Sequence, residues 1–228
     1  DGTISAAALI QDRKVLRYIG KKYITARREM GFLVPSKGYE YATIKGHKCA
    51  IIVGDDLSRE RGFDQSVETV ISINARKYGK GTMTYRYEMM RNLAFVESKN
   101  LVLVNQVGGS TDIVYDGTSG ALNSRGELVL MMKNFEEDFQ IFDTKASARP
   151  ITIPSTYNDR TRLVYEAARC GLRDFFRKNG YRKCPAKSSS TRTVVFCLAN
   201  TLRIPLSSQH ATLVSQSISA FILRTMLR

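Results

Sequence analysis

"TVISINARKYGKGTMTYRYEMMRNLAFVESKNLVLVNQ", residues 69–106, decides the fold class. Its two ends, "TVISIN" (69–74) and "LVLVNQ" (101–106), are rich in Val, Ile and Leu and too short for helices, so they read as buried strands. Between them, residues 82–100 place Met83, Met90, Leu93, Ala94 and Val96 near helical spacing. Strand, helix, strand is the order that joins two parallel strands, because parallel neighbours need a crossover connection.

Working outward, "KVLRYIG" (14–20) and "CAIIV" (49–53) read as further buried strands. On the other side, "IVYDGTSGALNSRGELVLMM" (113–132) alternates strand-like runs with Gly-, Asn- and Ser-rich turns, as a meander or hairpin does. Parallel units followed by hairpins predict a layered α/β sandwich. "RPITIPSTYND" (149–159) holds two of the five prolines and reads as a linker, with Asn158 or Asp159 available to cap the next helix. That helix, predicted over 160–181, carries Leu163, Val164, Ala167, Ala168, Leu172, Phe175 and Phe176 on one face, and Gly180 stops it. Two units follow: residues 1–150, and residues 151–228, which hold the linker, the helix and a short remainder.

The formal charge of +14 points to an anionic partner, nucleic acid or acidic protein surface among them. It is unevenly spread: 13 basic and 3 acidic residues in 159–228 supply +10 of the total, and no carboxylate side chain follows Asp174. Cations interleave with aromatics in "FFRKNGYRK", so Arg177, Lys178, Arg182, Lys183 and Lys187 are candidates for contact with RNA. Cys49, Cys170, Cys184 and Cys197 form no paired motif, so neither a metal site nor a disulfide framework is expected, and a reducing intracellular compartment, cytoplasm or mitochondrion, suits them. No apolar run approaches the roughly 20 residues that span a bilayer, so membrane insertion is not expected. The absence of an initiator Met is consistent with a processed or truncated start.

Residues 72–128 carry a more specific pattern. Asn74-Ala75, Gly79-Lys80, Arg86 with Met89 and Met90, the run "VNQVGG" ending at Gly109, and Asp116-Gly117 stand in series. In this the chain resembles the nitrilase-like glutaminase domain of glutamine-dependent NAD synthetase, and the likeness extends over residues 4–185. The resemblance implies a nitrilase-like layered α-β-β-α sandwich with a short helical C-terminal extension. It also implies that a strand-helix unit before Asp1 and most of the synthetase domain lie outside this sequence, and that the chain works within an oligomer or a heteromeric complex of protein subunits.

Enzymes of that family use a Glu base, a Lys that stabilises the oxyanion and a Cys nucleophile at a strand end. On this resemblance Lys21, in "KKYI", is the family lysine, and Gly54, followed by Asp55 and Asp56, stands where the cysteine belongs. Glycine cannot attack a carbonyl, and Cys49 lies five residues upstream on the opposite face of the strand, so it cannot substitute. Asp55 and Asp56 read as turn or cap residues.

The family's "SGGxDS" phosphate loop corresponds to Ser188, Ser189, Ser190 and Arg192, with both glycines and the aspartate replaced, and Ser207 to His210 match its "SSQH". Serine side chains obstruct the close backbone approach that glycine allows, and residues 175–228 offer no Asp or Glu to hold Mg²⁺. His210, a lone histidine there, is expected to be structural. The main expectation is therefore a catalytically degenerate relative, without cofactor, serving as a structural and RNA-contacting subunit of a larger assembly. The alternative is a portion of a glutamine-hydrolysing NAD synthetase that uses ATP and Mg²⁺ to amidate deamido-NAD.

Overall fold

The computed structural model describes residues 2–25, 29–37, 41–79, 81–144 and 149–180, and the backbone of 184–185 and 206–207. Strands β1 (Ala6–Gln11) and β2 (Lys14–Gly20) form an antiparallel hairpin. Strands β3 (Tyr41–Ile44), β4 (His47–Val53), β5 (Thr69–Asn74) and β6 (Asn100–Asn105) belong to a six-stranded sheet. After a second hairpin, β7 (Val107–Ser110) with β8 (Ile113–Asp116), strands β9 (Gly120–Leu122) and β10 (Leu128–Met131) complete that sheet in the order β10-β9-β6-β5-β4-β3.

Strands β4, β5 and β6 run parallel, with Val53 opposite Ile73 and Ile73 opposite Val104. Their C-terminal ends therefore align, and Gly54, Asn74 and Asn105 sit at one sheet edge. In α/β sheets that edge is the usual place for a ligand. The crossover from β5 to β6 is helix α1 (Thr82–Glu97). It buries Met83, Arg86, Tyr87, Met90, Leu93 and Ala94, one face at helical spacing, in a core with Ala50, Ile52, Val70, Leu101, Leu103 and Leu122. Ser98, in the left-handed region at φ 52°, turns the chain out of α1, its N–H bonding Phe95 O.

Helix α2 (Arg160–Lys178) starts at Asp159, whose carboxylate accepts the Arg162 N–H at 3.1 Å. It lies against β7 and β8, and its Ala167 and Cys170 share a small core with Val114 and Phe135. The "VGG" run explains this contact, since a Cβ on Gly109 would come within 2.9 Å of Gly171 Cα. Asp174 then accepts the Gly109 N–H at 2.7 Å and Lys178 Nζ donates to Gly109 O at 2.5 Å, so the helix is bonded to both backbone groups of one glycine.

Three expectations change. The sequence predicts β2 as buried, yet Val15, Leu16 and Tyr18 are exposed and only Ile19 is fully buried, because the β1–β2 hairpin pairs outside the main sheet. Val96, placed by spacing on the inner face of α1, is 60% exposed. Strands β1, β3 and β7 were not expected: "AAALIQ", "YATI" and "VGGS" lack dense Val and Ile and acquire strand structure from their partners.

Candidate functional site

Gly54 is the first residue after β4 and opens a 3₁₀ turn, Gly54–Ser58, with φ +63°. A side chain at such a backbone angle is strained, and glycine is free of that cost. A Cβ built on Gly54 would lie 3.3 Å from Lys21 Cε and 3.4 Å from Lys21 Nζ. The fold thus brings together two candidates 33 residues apart in sequence.

Lys21 is 5% exposed, although it lies in a basic stretch. Its backbone N–H donates to Ser5 O at 2.6 Å and its carbonyl accepts the Ser36 N–H at 2.9 Å, so the residue is tied to chain on both sides. The ammonium donates to Glu29 Oε2 at 2.7 Å and lies 3.6 Å from Asp55 Oδ2. Asp55 in turn meets Arg76 Nη2 at 3.2 Å and accepts a short hydrogen bond from the Thr25 hydroxyl. Burial pushes the Asp55 carboxyl up, but the Thr25 hydroxyl and the Lys21 and Arg76 cations outweigh burial, and its pKa is lowered. Asp55 is therefore a weak base and a firm anchor for two cations.

Asp56 turns the other way. Its two carboxylate oxygens accept the N–H groups of Lys22 and Tyr23, each at 2.9 Å, and Lys22 Nζ lies 3.0 Å from Glu60 Oε1. Burial raises the pKa of Asp56, the two backbone donors oppose it, and the Glu60 charge adds to the rise. At the neighbouring strand ends Asn105 accepts the Arg76 N–H at 2.8 Å, and its amide donates to Asp116 Oδ1 at 3.0 Å and Gly117 O at 2.9 Å.

The arrangement sets a buried cation, paired with Glu29 and Asp55, against the backbone of position 54. Position 54 supplies no nucleophile, and the described thiols do not compensate. Cys49 is buried, with its pKa raised by burial and by Glu68, and Cys170 is pushed up to about 11 by burial and Asp174. Reading the sequence alone missed Glu29, Thr25 and Arg76. Glu29 is the first carboxylate after Asp12 across a run of cations, and Arg76 follows the end of a parallel strand by two residues; those were the available signals.

Of the other candidates, Arg177 is exposed at the end of α2, whereas the Lys178 ammonium is engaged with Gly109 O. Arg182, Lys183, Lys187, Ser188, Ser189, Ser190, Arg192 and His210 lie outside the described residues. Among the described residues no group of three or more His, Cys, Asp or Glu is placed to hold a metal ion, and no helix is long and apolar enough to cross a membrane.

Over 186 residues the chain is 25% identical to the glutamine-dependent NAD(+) synthetase of Acinetobacter baylyi, matching 78% of this chain and 34% of that protein. The enzyme of the same name from Synechocystis sp. is 27% identical over 162 residues, matching 63% of this chain and 29% of that protein. The chain is similar to glutamine-dependent NAD(+) synthetases. The solved structure of the glutamine-dependent NAD+ synthetase from Acinetobacter baumannii in complex with ADP superposes with a TM-score of 0.65 at 19% identity, covering 98% of this chain and 52% of that one. The two chains share an α/β fold, in which α2 is the helix toward the C-terminal end of the described residues. The chain spans 34% and 29% of the length of these two curated relatives, and no protein-family model matches it.

Proposed function

We propose that the chain is the glutaminase-type portion of a protein of the glutamine-dependent NAD synthetase kind, with a site that holds a carboxamide oxygen against Lys21. In the whole protein the corresponding activity is glutamine amide hydrolysis feeding an ATP-dependent amidation of deamido-NAD. One observation carries this reading: the Lys21 ammonium lies 3.4 Å from a Cβ built on Gly54, at the C-terminal ends of parallel strands. A nucleophile at 54 would attack a carbonyl whose developing charge Lys21 is placed to stabilise.

Without a thiol there, no thioester forms through residue 54, so the unmodified chain binds an amide and does not turn it over covalently. The test is ammonia release from glutamine by the purified chain and by Gly54→Cys. The substitution costs about 1–2 kcal/mol of backbone strain at φ +63° and introduces a thiol alkylated by iodoacetamide. Slow hydrolysis, or a trapped acyl adduct on residue 54, supports the reading. Glutamine turnover by the unmodified chain at a comparable rate contradicts it.

The missing side chain at Gly54 also favours a second reading, a structural subunit that contacts RNA through the basic segment beginning at Arg177. Salt-sensitive co-purification with RNA supports it, and a homomeric particle free of RNA counts against it.

A further inference from the structure

Residues 21–25 have no regular secondary structure, so their backbone N–H groups need partners from elsewhere. Two carboxylates, Asp56 within the turn after β4 and Glu60 just beyond it, reach this segment although both are almost fully buried, Asp56 at 2% exposed and Glu60 at 1%. Asp56 takes two consecutive N–H groups, those of Lys22 and Tyr23, in the way a backbone nest takes an anion. Glu60 holds the Lys22 ammonium through both oxygens, at 3.0 and 3.3 Å. The turn itself is fixed to Asp56, whose carbonyl accepts the N–H groups of Arg59 and Glu60 at 3.0 and 2.9 Å. Neighbouring space, lined by Ile19, Gly20, Lys22, Tyr41, Asp56 and Glu60, amounts to about 10 Å³, room for a single water at most. A packed apolar turn would serve stability better than two buried carboxylates side by side. What these carboxylates accomplish is to fix the backbone immediately after Lys21.

The geometry points to Asp56 and Glu60 as positioning residues: with Lys22 they clamp the loop from behind and aim the Lys21 ammonium at Gly54, without touching anything bound there. On the proposed reading of the site, the stabilising cation is thus set by side chains from the turn that carries position 54 and from the residues directly after it. Loop and strand end are kept in register by one element.

Acylation of individual lysines by N-hydroxysuccinimidyl acetate, followed by mass spectrometry on the unmodified chain, Asp56→Asn and Glu60→Gln, tests the clamp. Lys99, 8% exposed and donating to Val67 O at 2.8 Å, is the internal control. The expected result is an increase of about tenfold in Lys21 labelling for either variant, with Lys99 unchanged, as the loss of one charge-assisted bond allows. Unchanged labelling of Lys21 overturns the proposal. So does a parallel rise at Lys21 and Lys99, which signals general loosening; if Asp56→Asn does not fold, Glu60→Gln decides. Failure of the functional reading is seen separately: in Gly54→Cys, the pH dependence of alkylation at residue 54 would then be the same with and without Lys21→Met, whatever the labelling shows.

Discussion

Two groups of charges lie about the C-terminal ends of β4, β5 and β6, and they are built differently. In one, Arg86 is fully buried and meets both oxygens of Asp116, at 2.9 and 3.1 Å, while Asn105 adds a third bond to the same carboxylate. In the other, Lys21 is buried but its partners Glu29 and Asp55 have side chains 31% and 34% exposed, and Asp55 is shared by Lys21, Arg76 and Thr25. The first group is closed and pairs one cation with one anion. The second faces outward beside a residue without a side chain. Closed pairs hold a scaffold together, whereas cations on shared anchors can exchange a partner for a ligand.

The largest expected effect breaks the closed pair. Arg86→Met leaves Asp116 buried without its cation, a loss of about 3–5 kcal/mol, read as a lower urea midpoint. Lys21→Met is expected to cost less than about 1 kcal/mol, since Asp55 keeps Arg76 and Glu29 keeps solvent. Equal losses in the two variants would erase the distinction. Between them falls Gly109→Ala, whose methyl meets Gly171 Cα at 2.9 Å and so costs about 1–3 kcal/mol through overpacking. Hydrogen exchange should then rise in α2 and remain unchanged in α1.

The same contrast explains what could be read in advance. Strands β4, β5 and β6 were legible as dense apolar runs, and helix α1 from the spacing of Met83, Met90, Leu93 and Ala94, although the exposed Phe95 and Val96 and the buried Arg86 blur its face. Lys21 and Gly54 were legible as positions through motif likeness, but not their separation or the burial of Lys21, which depends on Ser5, Ser36, Asp56 and Glu60 arriving from distant segments. The exposure of Val15, Leu16 and Tyr18 could not be read either, since an apolar strand has the same sequence whether or not a second layer covers it. Arg76 and Glu29 were hidden by ordinary surface-like contexts, and only the fold makes their charges converge on Lys21 and Asp55.

The smallest effects sharpen the comparison within the site, because Asp55 and Asp56 are adjacent and shifted in opposite directions. The Asp55 pKa is lowered from 3.8, so the folded state favours its ionised form; its contribution is present above pH 3.8 and is lost as pH falls through the lower folded value. The Asp56 pKa is raised from 3.8, so the folded state binds its proton more tightly, and ionisation works against folding as pH rises from 3.8 through the higher folded value. Urea midpoints of the unmodified chain, Asp55→Asn and Asp56→Asn between pH 2.5 and 7 should therefore diverge in opposite senses. The deficit of Asp55→Asn should shrink toward zero from pH 3.8 downward as pH falls through the lowered folded value, below which both chains carry a neutral group. That of Asp56→Asn should be greatest and level at pH 3.8 and below, and narrow above it, as the unmodified chain alone takes on the ionisation cost. Two curves of the same shape would mean that Lys21 and Arg76 do not hold Asp55 ionised, and the site would then resemble a buried acidic turn more than a place prepared for an anion or a polarised oxygen.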